Sequence, residues 1–101
     1  MVIDINLKRM RKSADQAVDL MKVLGNRDRM MLLCEINQGE RCVSELEELL
    51  EIHQPTLSQQ LTVLRKKKLV KTRREGKQIY YSASSPIAMS VIALLYQYYC
   101  K

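Results

Sequence analysis

Three cysteines are the side chains of this 101-residue chain best suited to covalent chemistry: Cys34, Cys42 and Cys100. Thiolates serve as metal ligands, as nucleophiles, or as a pair that forms a disulfide. An odd number of cysteines argues against a structural disulfide framework and leaves buried thiols, metal ligands or a redox pair open. Taken alone, Cys34 is on an apolar helix face, where a cysteine usually serves as a small buried hydrophobic side chain.

The sequence offers little support for an enzyme. A cysteine nucleophile requires a positioned base, and His53 is the only histidine. The sequence contains no glycine-rich phosphate loop, no metal triad and no convincing carboxylate pair. We therefore expect a protein that is not an enzyme and that carries no cofactor.

The excess positive charge is concentrated in one short segment. The formal net charge of the chain is +6 at pH 7. Between Arg65 and Lys77 lie eight basic residues and one acidic residue, so this segment alone exceeds the net charge of the whole chain. A charge run is often only a solvated surface, but this one coincides with a motif of the size of a DNA groove, which favours a polyanionic partner.

A predicted helix from about Pro55 to Lys67 begins that motif. Leu57, Leu61 and Leu64 form a narrow apolar stripe at helical spacing, and the opposite face has no acidic residue. Its amide and hydroxyl side chains can donate to, or accept from, base edges in a major groove.

A basic β-hairpin is predicted next, with strands Leu69–Arg74 and Lys77–Ser82 and a turn at Glu75-Gly76. Its tip can reach a phosphate backbone or a minor groove. Helix and hairpin together predict duplex DNA as a partner, contacted by Gln54, Thr56, Ser58, Gln59, Thr62, Lys66, Arg73, Arg74 and Lys77.

The other elements are predicted from apolar spacing and helix-breaking residues. We expect further helices at Leu7–Leu24, from a cap at Asn26 to about Asn37, at Val43–Leu50, and a last helix that begins with Ser85 as its N-cap and Pro86 in its first turn. In the third helix, Leu46, Leu49 and Leu50 are expected to point inward. The last helix is apolar on nearly all sides, so we expect a homodimer formed through the first and last helices. The whole is predicted to be one domain, residues 1–101, mainly α with a small β-hairpin.

No segment is predicted to enter a membrane. Ser85–Cys100 has no charged residue, but it is too short for a span and contains Ser90 and Gln97. Met1–Lys12 lacks the apolar run of a signal peptide. We therefore expect a cytoplasmic protein with no membrane partner.

The predicted order of elements is that of a winged helix-turn-helix. The segments Gln54–Leu61, Leu64-Arg65, Leu69-Val70, Arg73–Lys77 and Tyr80-Tyr81 resemble the ArsR-type family of bacterial repressors, and the resemblance extends from about Ala14 to Cys100. It implies a dimeric repressor that binds a partly palindromic operator and leaves it when a ligand or oxidant acts at a distant site.

The metal motifs of that family are incomplete here. One of them resembles Glu-Leu-Cys-Val-Cys-Asp-Leu, and Glu40–Leu46 keeps Cys42 but has Ser44 at the second cysteine. The last helix has neither the His nor the carboxylates of the other family site. We predict no metal site, and a metal-responsive repressor stays as an alternative.

The placement of Cys34 and Cys100 matches the thiol pair of the persulfide-sensing branch, the BigR and SqrR group. The resemblance implies that reactive sulfur species oxidise one thiol and that the other attacks it, forming a disulfide or polysulfide bridge within the protomer. The operator is then released and sulfide-detoxification genes are expressed. A regulator of the same fold without a thiol switch, as in the HlyU proteins, is the alternative. Cys42 is a helix cap, a relic of a metal site or a bystander.

Overall fold

A computed structural model describes residues 6–100. Within this range the chain forms helices and short strands in the following order: α1 (Leu7–Leu24), α2 (Arg27–Gln38), β1 (Arg41–Cys42), α3 (Val43–Leu50), α4 (Thr56–Lys66), β2 (Val70–Glu75), β3 (Gln78–Ala83) and α5 (Pro86–Tyr99). The predicted fold class, mainly α with a small hairpin in a winged helix-turn-helix order, is confirmed. α3 and α4 form the helix-turn-helix, and β2 and β3 form the wing.

Polar side chains set the starts of three helices. Asn26 accepts a hydrogen bond from the Arg29 amide at 3.0 Å, and Ser85 accepts one from the Ala88 amide at 3.2 Å. Asn6 caps α1 in the same way. Each cap satisfies a backbone donor that has no partner within the first helical turn. The predicted caps Asn26 and Ser85 are thereby confirmed.

The core lies where α2, α3, α4 and α5 meet. Its largest side chains, each almost completely removed from solvent, are Leu32, Leu33, Ile36, Leu46, Leu57, Leu61, Leu64 and Ile92. The three leucines of α4 belong to this set, so the predicted apolar stripe is confirmed. Its burial turns the polar side of α4 outward.

One inward residue of α3 was predicted wrongly. Leu46 is fully buried and Leu50 is half-buried, but Leu49 is 57% exposed. Successive residues of a helix are about 100° apart, so Leu49 and Leu50 flank Leu46 on opposite sides. A two-turn helix at the edge of the core packs along a narrow strip, which includes Leu50 and leaves Leu49 in solvent.

The sheet is antiparallel, with strand order β1-β3-β2. The two-residue strand β1, which pairs Arg41 with Tyr81 and Cys42 with Tyr80, was not predicted. The hairpin turn lies at Gly76-Lys77, so the predicted turn at Glu75-Gly76 was one residue early. Gly76 has a φ of +61°, which glycine adopts without steric cost, and it therefore takes the first turn position.

Both terminal helices expose large apolar side chains. α5 buries only Ala88 and Ile92, while Leu94 and Tyr98 are 53% and 66% exposed. On α1, Met21 is 58% exposed. None of the helices between residues 6 and 100 combines the length and the apolar character needed to cross a membrane.

The orientation of α3 can be checked by two matched variants. Leu46→Ala is expected to lower the free energy of unfolding by about 2–5 kcal/mol, because it leaves a cavity in the core. Leu49→Ala removes the same atoms from an exposed position and is expected to change it by less than about 0.5 kcal/mol. Urea denaturation at one fixed protein concentration measures both. Equal losses would contradict the assigned orientation.

Candidate nucleic-acid interface and cysteine cleft

α4 presents a polar surface on the side away from its buried leucines. Of the nine side chains predicted to contact DNA, Thr56 is half-buried and the others are exposed: Gln54, Ser58, Gln59, Thr62, Lys66, Arg73, Arg74 and Lys77. Hydroxyl and amide groups line α4, and basic groups stand at its C-terminal end and on the wing. This arrangement suits polar contacts to bases flanked by charged contacts to phosphates.

Two of these side chains also form hydrogen bonds with the backbone of α4. The Gln54 side-chain oxygen accepts a hydrogen bond from the Ser58 amide at 3.0 Å, which satisfies a donor in the first turn. The Thr62 hydroxyl donates to the Ser58 carbonyl at 2.8 Å. Its oxygen lone pairs and methyl group are therefore what Thr62 can offer to a partner.

Arg29 of α2 fixes the position of α4, which sequence reasoning missed. Its guanidinium donates to the Gln60 side-chain oxygen at 2.8 Å. The same group donates to the carbonyls of Val23 at 2.6 Å and Lys22 at 3.2 Å, at the C-terminal end of α1. One side chain thus ties α4 to α1 and α2.

A groove separates α4 from the wing. It has a volume of about 370 Å³ and is lined by Thr62, Arg65, Lys66 and Tyr81. Thr62 and Lys66 were predicted as DNA contacts, whereas Arg65 and Tyr81 were not. Two cations beside a phenol form a surface that attracts a phosphate group.

The two wing arginines have different surroundings. Arg73 donates to both carboxylate oxygens of Glu40, at 2.8 and 2.7 Å, and to Glu75 at 2.7 Å. Its guanidinium also lies 4.6 Å from the centre of the Tyr80 ring. Hydrogen bonds from Arg73 hold the pKa of Glu40 below its usual value, so Glu40 keeps its negative charge to lower pH than a free glutamate does. Arg74 donates to the Gly76 carbonyl at the turn, at 3.1 Å.

Cys34 and Cys100 line one cleft between α2 and α5. The cleft has a volume of about 640 Å³, and its walls are mainly apolar. Cys34 is half-buried in α2, and Cys100 is exposed at the C-cap of α5. Burial raises the pKa of the Cys34 thiol, and nearby Cys100 and Glu35 raise it further. A hydrogen bond with Cys100 raises the pKa of Tyr96, which lines the same cleft.

Cys42 lies apart from this cleft. It is buried at the N-cap of α3, where its amide donates to the Glu45 carboxylate at 3.0 Å. Its sulfur is 3.3 Å from the Ser44 hydroxyl. Of the roles left open for Cys42, the structure supports the helix cap. Among residues 6–100 we find no group of three or more His, Cys, Asp or Glu side chains arranged to hold a metal ion.

The sequence matches a known family over the helix-turn-helix and the start of the wing. The model of the bacterial regulatory protein, arsR family, matches residues 26–72. The biofilm growth-associated repressor of Agrobacterium fabrum is 47% identical over 96% of this chain and 83% of its own length. The chain belongs to the arsR family of bacterial regulatory proteins. The family predicted from the sequence is thereby confirmed.

Other relatives of this ArsR-family protein include an activator and a second repressor. The transcriptional activator HlyU of Vibrio cholerae is 39% identical over 96% of this chain and 90% of its own length. The crystal structure of the transcriptional repressor BigR from Xylella fastidiosa superposes with a TM-score of 0.83, at 43% identity and 92% coverage of both chains. A homodimeric winged helix-turn-helix DNA-binding domain from Mycobacterium bovis superposes with a TM-score of 0.72, at 29% identity, covering 94% of this chain and 86% of that one.

The raised pKa of Cys34 predicts how its alkylation depends on pH. Only the thiolate reacts, so the rate is expected to keep rising with pH beyond the point at which an ordinary cysteine thiol, with a pKa of about 8.5, is half ionised. Glu35→Gln removes a nearby negative charge and should accelerate alkylation of Cys34 at about pH 7.5. Iodoacetamide labelling resolved by peptide mass spectrometry measures the rate.

Glu48→Gln is the control for that measurement. It removes the same negative charge, but from an exposed carboxylate on α3. A half-maximal rate at or below about pH 8.5, or equal effects of the two variants, would contradict the environment assigned to Cys34.

Proposed function

We propose that this ArsR-family regulator is a homodimeric transcriptional repressor that leaves its DNA operator when reactive sulfur species link Cys34 to Cys100. The observation that carries the proposal is that these two thiols, distant in the chain, open into the same cleft between α2 and α5. Cys42, buried at the N-cap of α3, is outside the switch.

The DNA-binding part of the proposal is supported by the exposed polar side of α4 and the basic wing. Gln54, Thr56, Ser58, Gln59 and Thr62 face the major groove, where amide and hydroxyl groups distinguish bases. Lys66, Arg74 and Lys77 bind phosphates. In a dimer the two α4 helices reach successive major grooves of a partly palindromic operator, about 34 Å apart.

The homodimer is supported by apolar side chains that α1 and α5 leave in solvent. Ile87, Leu94 and Tyr98 are exposed on α5, and Met21 is exposed on α1. Apolar surface on two neighbouring helices is stabilised by a second copy of the same surface across a two-fold axis. The homodimeric relative from Mycobacterium bovis has the same fold.

The switch proceeds by two thiol exchanges. One thiolate attacks the terminal sulfur of a persulfide RSSH, becomes a protein persulfide, and expels RS⁻. The second thiolate then attacks the protein sulfur of that persulfide and expels HS⁻, so that a disulfide forms. Both thiols are oxidised, and the persulfide is reduced to a thiol and sulfide. Additional sulfane sulfur atoms give a longer bridge.

The bridge acts on DNA binding through α2. Because α2 packs against both α5 and α4, a bond between Cys34 and Cys100 reorients the helix to which Arg29 ties α4. Release lets genes for sulfide detoxification be transcribed.

The second candidate is a regulator of the same fold that has no thiol switch. Burial raises the pKa of the Cys34 thiol, which lowers the fraction of reactive thiolate at neutral pH and favours this candidate. The two candidates differ in one respect, namely whether DNA binding depends on Cys34 and Cys100.

The switch is tested by operator binding and intact mass in the same samples. A duplex selected by the protein from a random-sequence pool is titrated before and after addition of a persulfide donor. We expect release together with the mass of a Cys34–Cys100 bridge. Cys34→Ser and Cys100→Ser should stay bound, and Cys42→Ser, the matched control, should behave as the wild type. Unchanged binding by a wild-type protein with unlinked thiols would support the second candidate.

The dimer surface is tested by Leu94→Lys. A charge in an apolar interface is unfavourable, so this variant should sediment as a monomer in analytical ultracentrifugation and lose high-affinity DNA binding. Leu49→Lys places the same charge at an exposed leucine outside the proposed surface and should stay dimeric. A dimeric Leu94→Lys variant would rule out this use of α5.

A further inference from the structure

The guanidinium of Arg73 is already bound by carboxylates. Its Nε and one terminal nitrogen donate to the two oxygens of Glu40, and the other terminal nitrogen donates to Glu75. The first pair of bonds has the bidentate geometry in which arginine–carboxylate pairs are most specific. The face of the Tyr80 ring supports the same guanidinium at 4.6 Å.

Glu40 is held in place from the side of α2. Arg41 donates to the Glu35 carboxylate of α2 at 3.2 Å and to the Glu40 carbonyl at 2.9 Å. The neighbouring residues of β1 also pair with β3. The carboxylate that binds Arg73 is therefore on a segment attached to the body of the domain.

Arg73 and Arg74 point to opposite faces of the hairpin, since side chains alternate along a strand. Thr72 and Arg74 share a face, and Thr72 lies opposite Tyr81, which lines the groove next to α4. Arg74 is therefore on the face of the wing toward α4. Arg73 is on the other face, directly opposite Tyr80.

The charges around Arg73 disfavour a phosphate. Arg73 with Glu40 and Glu75 carries a net charge of −1, and Lys71 on the same strand face brings the cluster only to neutrality. A phosphate would gain little there, and it would have to replace two carboxylates already bound to the guanidinium.

We infer that Arg73 is a positioning residue: the Glu40 carboxylate holds it, and this bond fixes the wing so that Arg74 and Lys77 reach the DNA. The inference rests on the proposed DNA-binding function. It replaces the prediction that Arg73 itself contacts DNA.

The salt dependence of DNA binding separates the two roles. The logarithm of the binding constant falls linearly with the logarithm of the salt concentration, and each lost phosphate contact makes this negative slope shallower by about 0.9. Arg73→Gln and Glu40→Gln should each weaken binding of the selected duplex roughly two- to fivefold with an unchanged slope. Lys77→Gln, the control that removes a proposed phosphate contact, should make the slope shallower. A shallower slope for Arg73→Gln, or tighter binding by Glu40→Gln, would overturn the inference.

Exchanging the two charges gives a second test, which does not depend on removing either residue of the ion pair alone. The double variant Glu40→Arg with Arg73→Glu restores the ion pair in reverse and should recover most of the binding lost by either single change. If Arg73 contacts a phosphate, the exchange instead places a carboxylate against DNA and binds more weakly than either single variant.

Hydrogen exchange tests, without DNA, whether the ion pair between Glu40 and Arg73 holds the wing in place. In Glu40→Gln the amides of Val70–Ala83 should exchange faster than in the wild type, whereas those of α2 should not change. Unchanged exchange in the wing would overturn the inference even if no duplex were bound. If the wild-type protein binds no duplex but the wing exchanges faster in Glu40→Gln, the proposed function is refuted. The role of the Glu40–Arg73 ion pair in holding the wing is then still supported.

Discussion

The burial of three leucines on one side of α4 is the constraint on which the rest of the surface depends. Leu57, Leu61 and Leu64 are removed from solvent, each contributing about 1.5–3 kcal/mol. Because α4 has eleven residues and buries this stripe in the core, only its opposite side is available to contact a partner. Arg29 then fixes where that side points, because it ties Gln60 to the end of α1.

α2 is the element that connects the two candidate sites. Its first turn carries Arg29 and so reaches α4, while Cys34 on the same helix lines the cleft beside α5. Its C-terminal part is linked through Glu35 and Arg41 to the segment that holds the wing. A rigid helix with contacts at both sites transmits a displacement without any contact between the sites themselves.

The features that were predicted correctly from the sequence are those that depend only on residues close together in the chain. The caps Asn26 and Ser85 and the leucine stripe of α4 follow from side-chain type and helical period, and the structure has them. The predicted inward position of Leu49 was wrong and β1 was not predicted, because both features depend on which neighbour packs against the element. Residue type alone did not distinguish the three cysteines, and only the family resemblance paired Cys34 with Cys100. The fold places these two at one cleft and buries Cys42 elsewhere.

The wing shows why a count of charges does not identify a contact surface. Along the chain, Arg73 and Arg74 are adjacent members of one basic run, and the run gives no reason to treat them differently. Strand alternation places them on opposite faces, and only the fold brings Glu40 to one of them. Since a bound carboxylate cancels the charge that would attract a phosphate, the effective positive surface of the wing is smaller than its sequence indicates. It lies on the face that Arg74 shares with the groove beside α4.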